Sequence, residues 1–419
     1  MIDARHHKVS DVLVTGLGLV SPAGVGVRSA WHDLLEGCCF LRRDPVFGDV
    51  PWANSGRVPD FDARHLLGVK QAWRMDRFSQ LATVAAREAI ADADLNVKEC
   101  DPTRVAVVMG NSLGGTTTLE QEVKTETSEG YDSVSGMLVP KWMPNMLAGS
   151  IAIDLGVTGE AYAISSACAS GTSAIGHGMQ LIQSGQYDVV IAGASESAIT
   201  PTIMAGLAKI GAISKNPNAR YASRPFDAER DGFVIAEAAG VVVLESASFH
   251  KTRHNAQSPV AYLRGYGAAN DAYHLTAPEP DGTGLQTSVQ RALENARITP
   301  HEVGYVNAHG TSTHMNDQGE TEAIKTTFGA AAKDISVSSI KSMTGHLLGA
   351  AGGVECIATA LAVENDMLPP TINYETPDEG LDLDYVPNKA KAKKVRAAIS
   401  NSFGFGGHNA CLVLKKFPS

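Results

Sequence analysis

One cysteine and two histidines stand at points in the sequence where a predicted strand gives way to a turn. Cys168 lies in "AISSACASGTSAIGHG", between a strand-like run and small residues with helical spacing. His309 follows "VGYVN", and His346 follows "ISVSS". A thiolate is a strong nucleophile, and imidazole N–H groups can stabilise an anionic oxygen. If these strand ends pack together, the three residues predict a site for nucleophilic catalysis.

Each of these residues also has a purely structural interpretation. A buried cysteine is commonly inert, and a lone histidine is more often a core or cap residue than a catalytic one. The predicted helix after Cys168 favours reactivity, because a helix N-terminus stabilises a thiolate. His309 and His314 do not form an HExxH pattern, so we expect no catalytic metal.

The segments around these residues predict an α/β protein, because short β-branched runs alternate with Ala-rich segments of helical spacing. The predicted strands are 12–18, 105–110, 161–167, 188–193, 239–245, 260–267, 303–310, 335–339, 397–402 and 410–415. The predicted helices include 77–93 and 285–296. This order places each of the three residues at or just after the end of a strand.

The order of elements looks duplicated. "YAISSACASGTSAIGHG" has a counterpart in "ISVSSIKSMTGHLLGAAGG", and "AGVVVLE" has one in "ACLVLKK". We therefore predict two similar halves, residues 1–252 and 253–419, that meet near the polar segment 246–259. Chance similarity between two strand–helix units is the alternative.

Composition and charge exclude several classes of protein. The chain has 419 residues, 44% of them hydrophobic, and a net charge of −10, which argues against general affinity for nucleic acid or anionic membranes. The six cysteines form no CxxC pair, which favours a reducing, cytoplasmic compartment. We expect no signal peptide and no membrane span, since no run of about twenty apolar residues occurs.

Several long motifs resemble the elongating β-ketoacyl-[acyl carrier protein] synthases, type II, of the thiolase-like superfamily. They are "VLVTGLGLVSPAGVG", "ACASG", "RPFDAERDGFV", "YVNAHGTST", "SIKSMTGHLLGAAGGVE", "PPTINYETPDEGLDLDYVPN" and "NSFGFGGHNACLVLKK", in that order. The resemblance covers essentially the whole chain and implies a duplicated five-layer αβαβα architecture. It also implies an acyltransferase that extends a cysteine-bound acyl chain by two carbons through decarboxylative Claisen condensation with malonyl-acyl carrier protein.

The resemblance implies roles for particular residues. Cys168 matches the nucleophile, His309 and His346 match the pair that binds the malonyl thioester carbonyl, and Lys341 matches a lysine that positions the second histidine. The other matches are Phe405, a gating residue whose backbone N–H joins that of Cys168 in an oxyanion hole; Thr311 and Thr313, which hold the pantetheine arm; Leu113, at the end of the acyl pocket; and the supporting acids Asp317, Glu320 and Glu355.

The same resemblance implies an acyl carrier protein as partner, with Lys70 and Arg74 as docking residues in a basic stretch that also contains Arg77. A solvated helix face is the alternative for that stretch. We expect no cofactor beyond the phosphopantetheine that the carrier brings, and no metal. A homodimer is expected, and a heterodimer with a chain-length factor is the alternative.

Two segments depart from the family pattern. "AEAAG" has Ala236 and Ala238 where glycines are usual, and "VPKWMPNM" introduces Lys141 and Trp142. At the alanines we expect harmless repacking, and a shifted loop that alters the acyl pocket is the alternative. Trp142 either narrows the acyl tunnel or fills the core. These departures leave open a specialised type II polyketide or polyene ketosynthase that works with a chain-length factor.

Two further classes of function are disfavoured. A non-catalytic binding subunit has no need to keep Cys168 together with His309, His346 and Lys341. A cysteine hydrolase requires an acid that orients one histidine and has no use for a second histidine.

Overall fold

The computed structural model describes residues 10–418. Residues 1–9 and Ser419 lie outside the described residues. The predicted N-terminal half, and the stretch in which we expect no signal peptide, both begin within residues 1–9. The strands are β1 (Val12–Ser21), β2 (Gly24–Val25), β3 (Arg42–Arg43), β4 (Asn54–Ser55), β5 (Val105–Gly110), β6 (Ala161–Ile164), β7 (Val189–Glu196), β8 (Ala238–Ser246), β9 (Ala261–Asn270), β10 (Val303–Asn307), β11 (Ser336–Ser338), β12 (Met367–Leu368), β13 (Lys391–Ala392), β14 (Ala397–Gly404) and β15 (His408–Lys416). The α-helices are α1 (Val27–Leu35), α2 (Ala63–Leu67), α3 (Val69–Arg74), α4 (Arg77–Asp92), α5 (Thr116–Glu129), α6 (Leu138–Trp142), α7 (Met146–Leu155), α8 (Ser170–Gln183), α9 (Pro201–Lys209), α10 (Ala247–His250), α11 (Thr283–Ala296), α12 (His314–Phe328), α13 (Lys341–Thr344) and α14 (Ala351–Asn365).

Ten strands form two groups of five with the same order and directions. The first group runs β1-β8-β7-β5-β6, in which β8 is antiparallel to β1 and β7 while β7, β5 and β6 are parallel. The second group runs β9-β15-β14-β10-β11 with the same pattern of directions. The groups join where residues 12–14 of β1 pair with residues 261–263 of β9. This repeated arrangement is that of a duplicated α/β architecture.

Helices form layers outside and between the two groups of strands. Helices α4 and α7 cover the first group on its outer side, and α11 covers β9 and β15 of the second. Helices α8 and α14 contact each other and strands of both groups, so they form the central layer. The layers therefore follow the order αβαβα, as predicted. The first group ends at Ser246 and the second begins at Ala261, and the boundary between halves at residue 252 stays a prediction.

The central layer depends on glycines in α8 and α14. A Cβ added at Gly171 of α8 would lie 2.7 Å from the backbone nitrogen of Gly353, and one at Gly352 of α14 would lie 2.3 Å from that of Thr172. The two helix backbones thus touch near their N-termini, which a larger residue would prevent. This contact brings the turn before α8 close to the turn before α14.

Each of the ten predicted strands corresponds to an observed strand, and the predicted helices at 77–93 and 285–296 correspond to α4 and α11. Beside the cysteine, β6 is shorter than predicted and ends at Ile164 rather than at residue 167. The backbone then turns through Ala167, whose φ of 49° is left-handed. Among residues 10–418, no helix combines the length and the apolar character that crossing a membrane requires.

Candidate active site

The cysteine and the two histidines line one cavity of about 700 Å³. Cys168 lies in the turn between β6 and α8, His309 follows β10, and His346 lies between α13 and α14. The ring centroids of the two histidines are 5.4 Å apart, and the rings are nearly perpendicular. The contact between α8 and α14 brings Cys168 and His346 together, and His309 reaches the same space from the neighbouring strand end.

The turn that carries Cys168 is tightly enclosed by backbone. Ser170 closes it, since its hydroxyl donates to the carbonyl oxygen of Ala167 at 2.6 Å. Gly404 packs against the other side, where an added Cβ would lie 2.5 Å from the oxygen of Ser166 and 3.1 Å from the nitrogen of Cys168. The backbone of the "GFGG" turn therefore lies directly beside the cysteine, and Phe405, 38% exposed, lines the cavity there.

The environment of Cys168 favours the thiol over the thiolate. Burial among protein groups raises the pKa of Cys168 to about 12, while the positive charge of Lys341 lowers it and the carboxylates of Glu196 and Glu355 raise it. Burial is the largest cause of this rise, and it opposes the thiolate that we expected at the helix N-terminus. A raised pKa favours the protonated thiol, whose proton has to leave when an acyl donor reacts.

Both histidines are buried and neutral. Burial is the largest cause that holds the pKa of His309 and of His346 well below 6.5, and the nearby Lys341 ammonium lowers both pKa values further. The Lys341 ammonium donates to Nδ1 of His309 at 3.4 Å, and the backbone N–H of Leu348 donates to Nδ1 of His346 at 3.3 Å. With Nδ1 an acceptor in each ring, the proton of each neutral imidazole lies on Nε2. The pair therefore offers two Nε2–H donors.

The contact made by Lys341 corrects our expectation that this lysine positions the second histidine. Its ammonium touches His309, not His346, and it forms a fully buried ion pair with Glu355 of α14. The physical reason is that Nδ1 of His346 already accepts the N–H of Leu348, two residues later in its own turn.

The acids predicted to be supporting residues accept hydrogen bonds from the turns and side chains that surround the cavity. Glu320 accepts the backbone N–H groups of His309 and Gly310 at 2.9 and 2.8 Å, and burial raises the pKa of Glu320 to about 7. Asp317 accepts the N–H of Phe226 at 2.8 Å. Glu355 pairs with Lys341, so each acid is bound to a backbone or side-chain group of the surrounding scaffold.

The remaining predicted residues divide between the wall of the cavity and the outer surface. The hydroxyls of Thr311 and Thr313 lie 2.9 Å apart and both residues line the cavity, as does Leu113. Lys70 and Arg74 are exposed on α3, outside the cavity lining.

Arg77 does not belong to an exposed basic patch, contrary to our expectation. It forms an ion pair at 2.7 Å with the fully buried Glu237 and is therefore turned into the protein. A buried carboxylate without a partner costs much free energy, so Arg77 pairs with Glu237 and does not extend into solvent.

The two departures from the family pattern lie in different settings. Trp142 is 42% exposed and is not part of the cavity lining, so neither core filling nor narrowing of the described cavity is supported. Lys141 instead places its ammonium 5.8 Å from the ring centroid of Trp73. Ala236 and Ala238 are fully buried, and the backbone N–H of Ala236 donates to the carbonyl of His346 at 2.9 Å. That bond uses backbone atoms, which explains why alanine is tolerated there.

Sequence reasoning missed Glu196 and the apolar wall of the cavity. Glu196 is the last residue of β7 and is fully buried beneath the turn that carries Leu113. The available signal was a carboxylate at the end of an otherwise apolar strand, in "VVIAGASES". Apolar side chains of α9, including Ile203 and Leu207, complete the wall. Within residues 10–418, no group of three His, Cys, Asp or Glu side chains is placed to hold a metal ion.

Comparison with known families gives matches to two adjacent domains. Residues 9–250 match the family described as "Beta-ketoacyl synthase, N-terminal domain", and residues 260–375 match "Beta-ketoacyl synthase, C-terminal domain". The chain is 44% identical over 410 residues to 3-oxoacyl-[acyl-carrier-protein] synthase 2 of Staphylococcus aureus strain COL, covering 97% of this chain and 99% of that protein. It is 43% identical over 409 residues to the protein of the same name from Synechocystis sp., covering 97% and 98%.

Solved structures show the same fold. A type II polyketide ketosynthase in complex with its acyl-carrier protein and bound to the hexaketide has a TM-score of 0.90 and 33% identity, covering 98% of this chain and 100% of that one. The ishigamide ketosynthase/chain length factor has a TM-score of 0.91 and 31% identity, with the same coverage. A beta-ketoacyl synthase from Burkholderia phymatum has a TM-score of 0.90 and 30% identity, again with that coverage.

Proposed function

This chain belongs to the beta-ketoacyl synthase family, and we propose that it extends an acyl chain by two carbons through decarboxylative Claisen condensation with malonyl-acyl carrier protein. The observation that carries the proposal is the arrangement of Cys168, His309 and His346 around one cavity, with two Nε2–H donors. A single histidine would suffice to activate a thiol, so the second points to an oxyanion that forms away from the cysteine.

In the first proposed step, Cys168 takes the acyl group from its carrier. Its sulfur attacks the thioester carbonyl, a new C–S bond forms, and the bond to the pantetheine sulfur breaks. The thiol proton passes, in net terms, to the departing pantetheine thiol. The new thioester keeps the acyl group activated for the next step.

In the second proposed step, the malonyl group loses CO₂, and the electron pair of the broken C–C bond moves into an enolate. The Nε2–H groups of His309 and His346 donate to the enolate oxygen, and each such donor contributes about 3 kcal/mol of stabilisation. The enolate carbon attacks the acyl carbonyl on Cys168, and the C–S bond breaks. The sulfur then takes up a proton from solvent, which restores the thiol that burial favours. In this proposal no cofactor takes part beyond the pantetheine thioesters.

The neutral histidines predict a decarboxylation rate that does not fall in mild acid. In the Cys168→Gln variant, which cannot form an acyl-enzyme, malonyl decarboxylation is expected to stay within about twofold between about pH 8 and about pH 5.5. The reason is that both imidazole pKa values lie well below 6.5. Glu320, with a pKa of about 7, also titrates in this range, so the same profile is measured with Glu320→Gln added. A rate that fell with an apparent pKa of about 6.5 in both variants would contradict neutral donors. Stability is monitored in parallel, because the unfolded histidines bind protons below that pH and the folded ones do not, so stability decreases as pH falls.

We propose an acyl carrier protein as the partner, because the ketosynthase in one similar solved structure is bound to its acyl-carrier protein. Lys70 and Arg74 of α3 are exposed cations on a chain of net charge −10, and a local positive surface would steer an acidic carrier. Changing both to Glu is expected to raise KM for acyl-carrier substrates about tenfold and to leave KM for acyl-pantetheine unchanged. Arg28→Glu combined with Lys98→Glu, two exposed cations outside α3, is the charge-matched control. An equal rise in both KM values would contradict docking at α3.

A homodimer is the proposed assembly. Strand β6 is at the end of the sheet order and has one unpaired edge within the described residues. Such an edge can pair with the same strand of a second copy. Two similar structures carry ketosynthases together with a chain length factor, so a heterodimer is the alternative partner arrangement. We also propose a cytoplasmic location, because the six cysteines form no CxxC pair and this favours a reducing compartment.

The proposed reaction is tested by mass spectrometry of carrier-bound products. The protein is incubated with malonyl-carrier and acyl donors of graded length. If saturated donors give 3-oxoacyl products that are two carbons longer, the protein is an acyltransferase that elongates fatty-acyl chains. Products only from polyketide intermediates, and only with a chain-length factor added, would support the specialised alternative that the similar ketosynthase complexes suggest.

A further inference from the structure

A buried carboxylate that takes no part in the proposed chemistry joins two turns of the cavity wall. Oε2 of Glu196 accepts the backbone N–H of Ser112 at 2.9 Å, the hydroxyl of Ser112, and the backbone N–H of Gly349 at 3.3 Å. Oε1 accepts the side-chain amide of Asn111 at 3.1 Å and the backbone N–H of Leu113 at 3.3 Å. Five donors therefore converge on one fully buried side chain.

The two turns held in this way each present a leucine to the cavity. Leu113 lies in the turn that follows β5, and Leu348 lies in the turn that follows His346; both side chains line the cavity. Glu196 binds the backbone of Leu113 itself and that of Gly349, directly after Leu348. The position of the carboxylate thus fixes the backbone from which each leucine projects.

The packing leaves no space for this arrangement to relax. A Cβ added at Gly349 would lie 2.7 Å from Oε2 of Glu196 and 2.8 Å from the backbone nitrogen of Ser112. Asn111 adds a further tie, because its Oδ1 accepts the N–H of Gly114 at 2.5 Å while its amide donates to the carbonyl of Ser195 at 2.7 Å. The backbones of both turns are therefore held by Glu196, at the end of β7.

We propose that Glu196 is a positioning residue that sets the acyl-chain length the cavity accepts, by holding Leu113 and Leu348 at a fixed separation. The inference rests on the proposed function, since it assigns the apolar wall to the acyl chain. Each methylene group of the acyl chain that the cavity can bury changes the dissociation constant of the donor about fourfold. A small movement of either leucine therefore alters the preferred acyl-chain length.

Replacement by glutamine tests the proposal with little change in volume. The amide keeps one acceptor oxygen, but its NH₂ group replaces the other one. The N–H groups that bonded to the replaced oxygen lose their acceptor, so one of the two turns is no longer held. For Glu196→Gln, the ratio of kcat/KM for the longest and shortest accepted donors is expected to change about tenfold, equivalent to between one and two methylene groups. The measurement uses acyl-carrier donors of graded length with saturating malonyl-carrier.

Glu245→Gln is the matched control. Glu245 is a fully buried carboxylate that accepts from Thr15 and Arg253, and it is not part of the cavity lining. This variant is expected to lose stability while keeping the wild-type ratio between donors. Loss of stability alone therefore does not produce the predicted change in length preference.

The results distinguish this inference from the proposed function. An equal loss of kcat/KM for all donors in Glu196→Gln, or an unchanged ratio, overturns the positioning role. If Glu196→Gln does not fold, Ser112→Ala removes one donor from the Leu113 turn, and an unchanged ratio in that variant also overturns it. If the wild-type protein condenses no donor at all, the proposed function fails, and the assignment of the wall to an acyl chain fails with it.

Discussion

Cys168→Ala is expected to lower condensation at least about a thousandfold, because among residues 10–418 no other cysteine lines the cavity and could form the acyl thioester. The remaining cavity still binds both substrates, so malonyl-carrier is expected to bind with an affinity close to that of the wild-type protein. The measurement is the rate of 3-oxoacyl-carrier formation, together with peptide mapping for an acyl group on residue 168. Full condensation by the alanine variant would contradict transfer through the cysteine.

Two variants separate the loss of the nucleophile from a general loss of structure. Cys168→Gln is expected to abolish condensation and keep malonyl decarboxylation, since the Nε2–H donors of His309 and His346 remain. Cys356→Ala removes a thiol that is fully buried in α14, and it is expected to keep condensation. Loss of both activities in Cys168→Gln would leave the histidines without an independent role.

Lys341→Met is expected to lower malonyl decarboxylation about a hundredfold and to destabilise the fold by about 4 kcal/mol. The stability loss arises because Glu355 is left as an unpaired buried carboxylate. The activity loss arises because Nδ1 of His309 loses its donor, so the proton is no longer confined to Nε2. Decarboxylation is measured in the Cys168→Gln background, and stability by denaturant unfolding.

A double variant shows whether the lysine acts only on stability. Replacing both members of the buried pair, Lys341→Met with Glu355→Leu, removes the unpaired charge and is expected to recover most of the stability. Decarboxylation is expected to stay low, because His309 still lacks its donor. If activity returned along with stability, Lys341 would be a scaffold residue and not one that orients His309.

The positions of the strands could be predicted because they depend on local patterns, although β6 ends earlier than predicted and α13 separates β11 from His346. The β-branched runs before Cys168, His309 and His346 have strong strand signals, and the residues after them break that pattern. The resemblance between "YAISSACASG" and "ISVSSIKSMTGH" also predicted the duplication, which the matching order of the two strand groups reproduces. The local sequence therefore located the residues of the cavity without giving their contacts.

The contacts could not be predicted, because they depend on groups far apart in the chain. Lys341 contacts His309 rather than His346, a choice made by a backbone N–H near the second histidine. The pKa of Cys168 is raised chiefly by burial, which depends on residues from distant parts of the chain. Glu196 draws its five donors from two turns separated by more than two hundred residues, and no local motif reports that convergence.

The central claim is that the acyl group on Cys168 is the group that the malonyl-derived enolate attacks inside one cavity. The most direct measurement isolates protein loaded with an isotopically labelled acyl group, adds unlabelled malonyl-carrier, and follows a single turnover by mass spectrometry. We predict that label leaves Cys168 at the rate at which it appears in a product two carbons longer, with one CO₂ released for each product. Labelled acyl groups that remain on Cys168 while product accumulates, or that are found on another residue, would contradict the account.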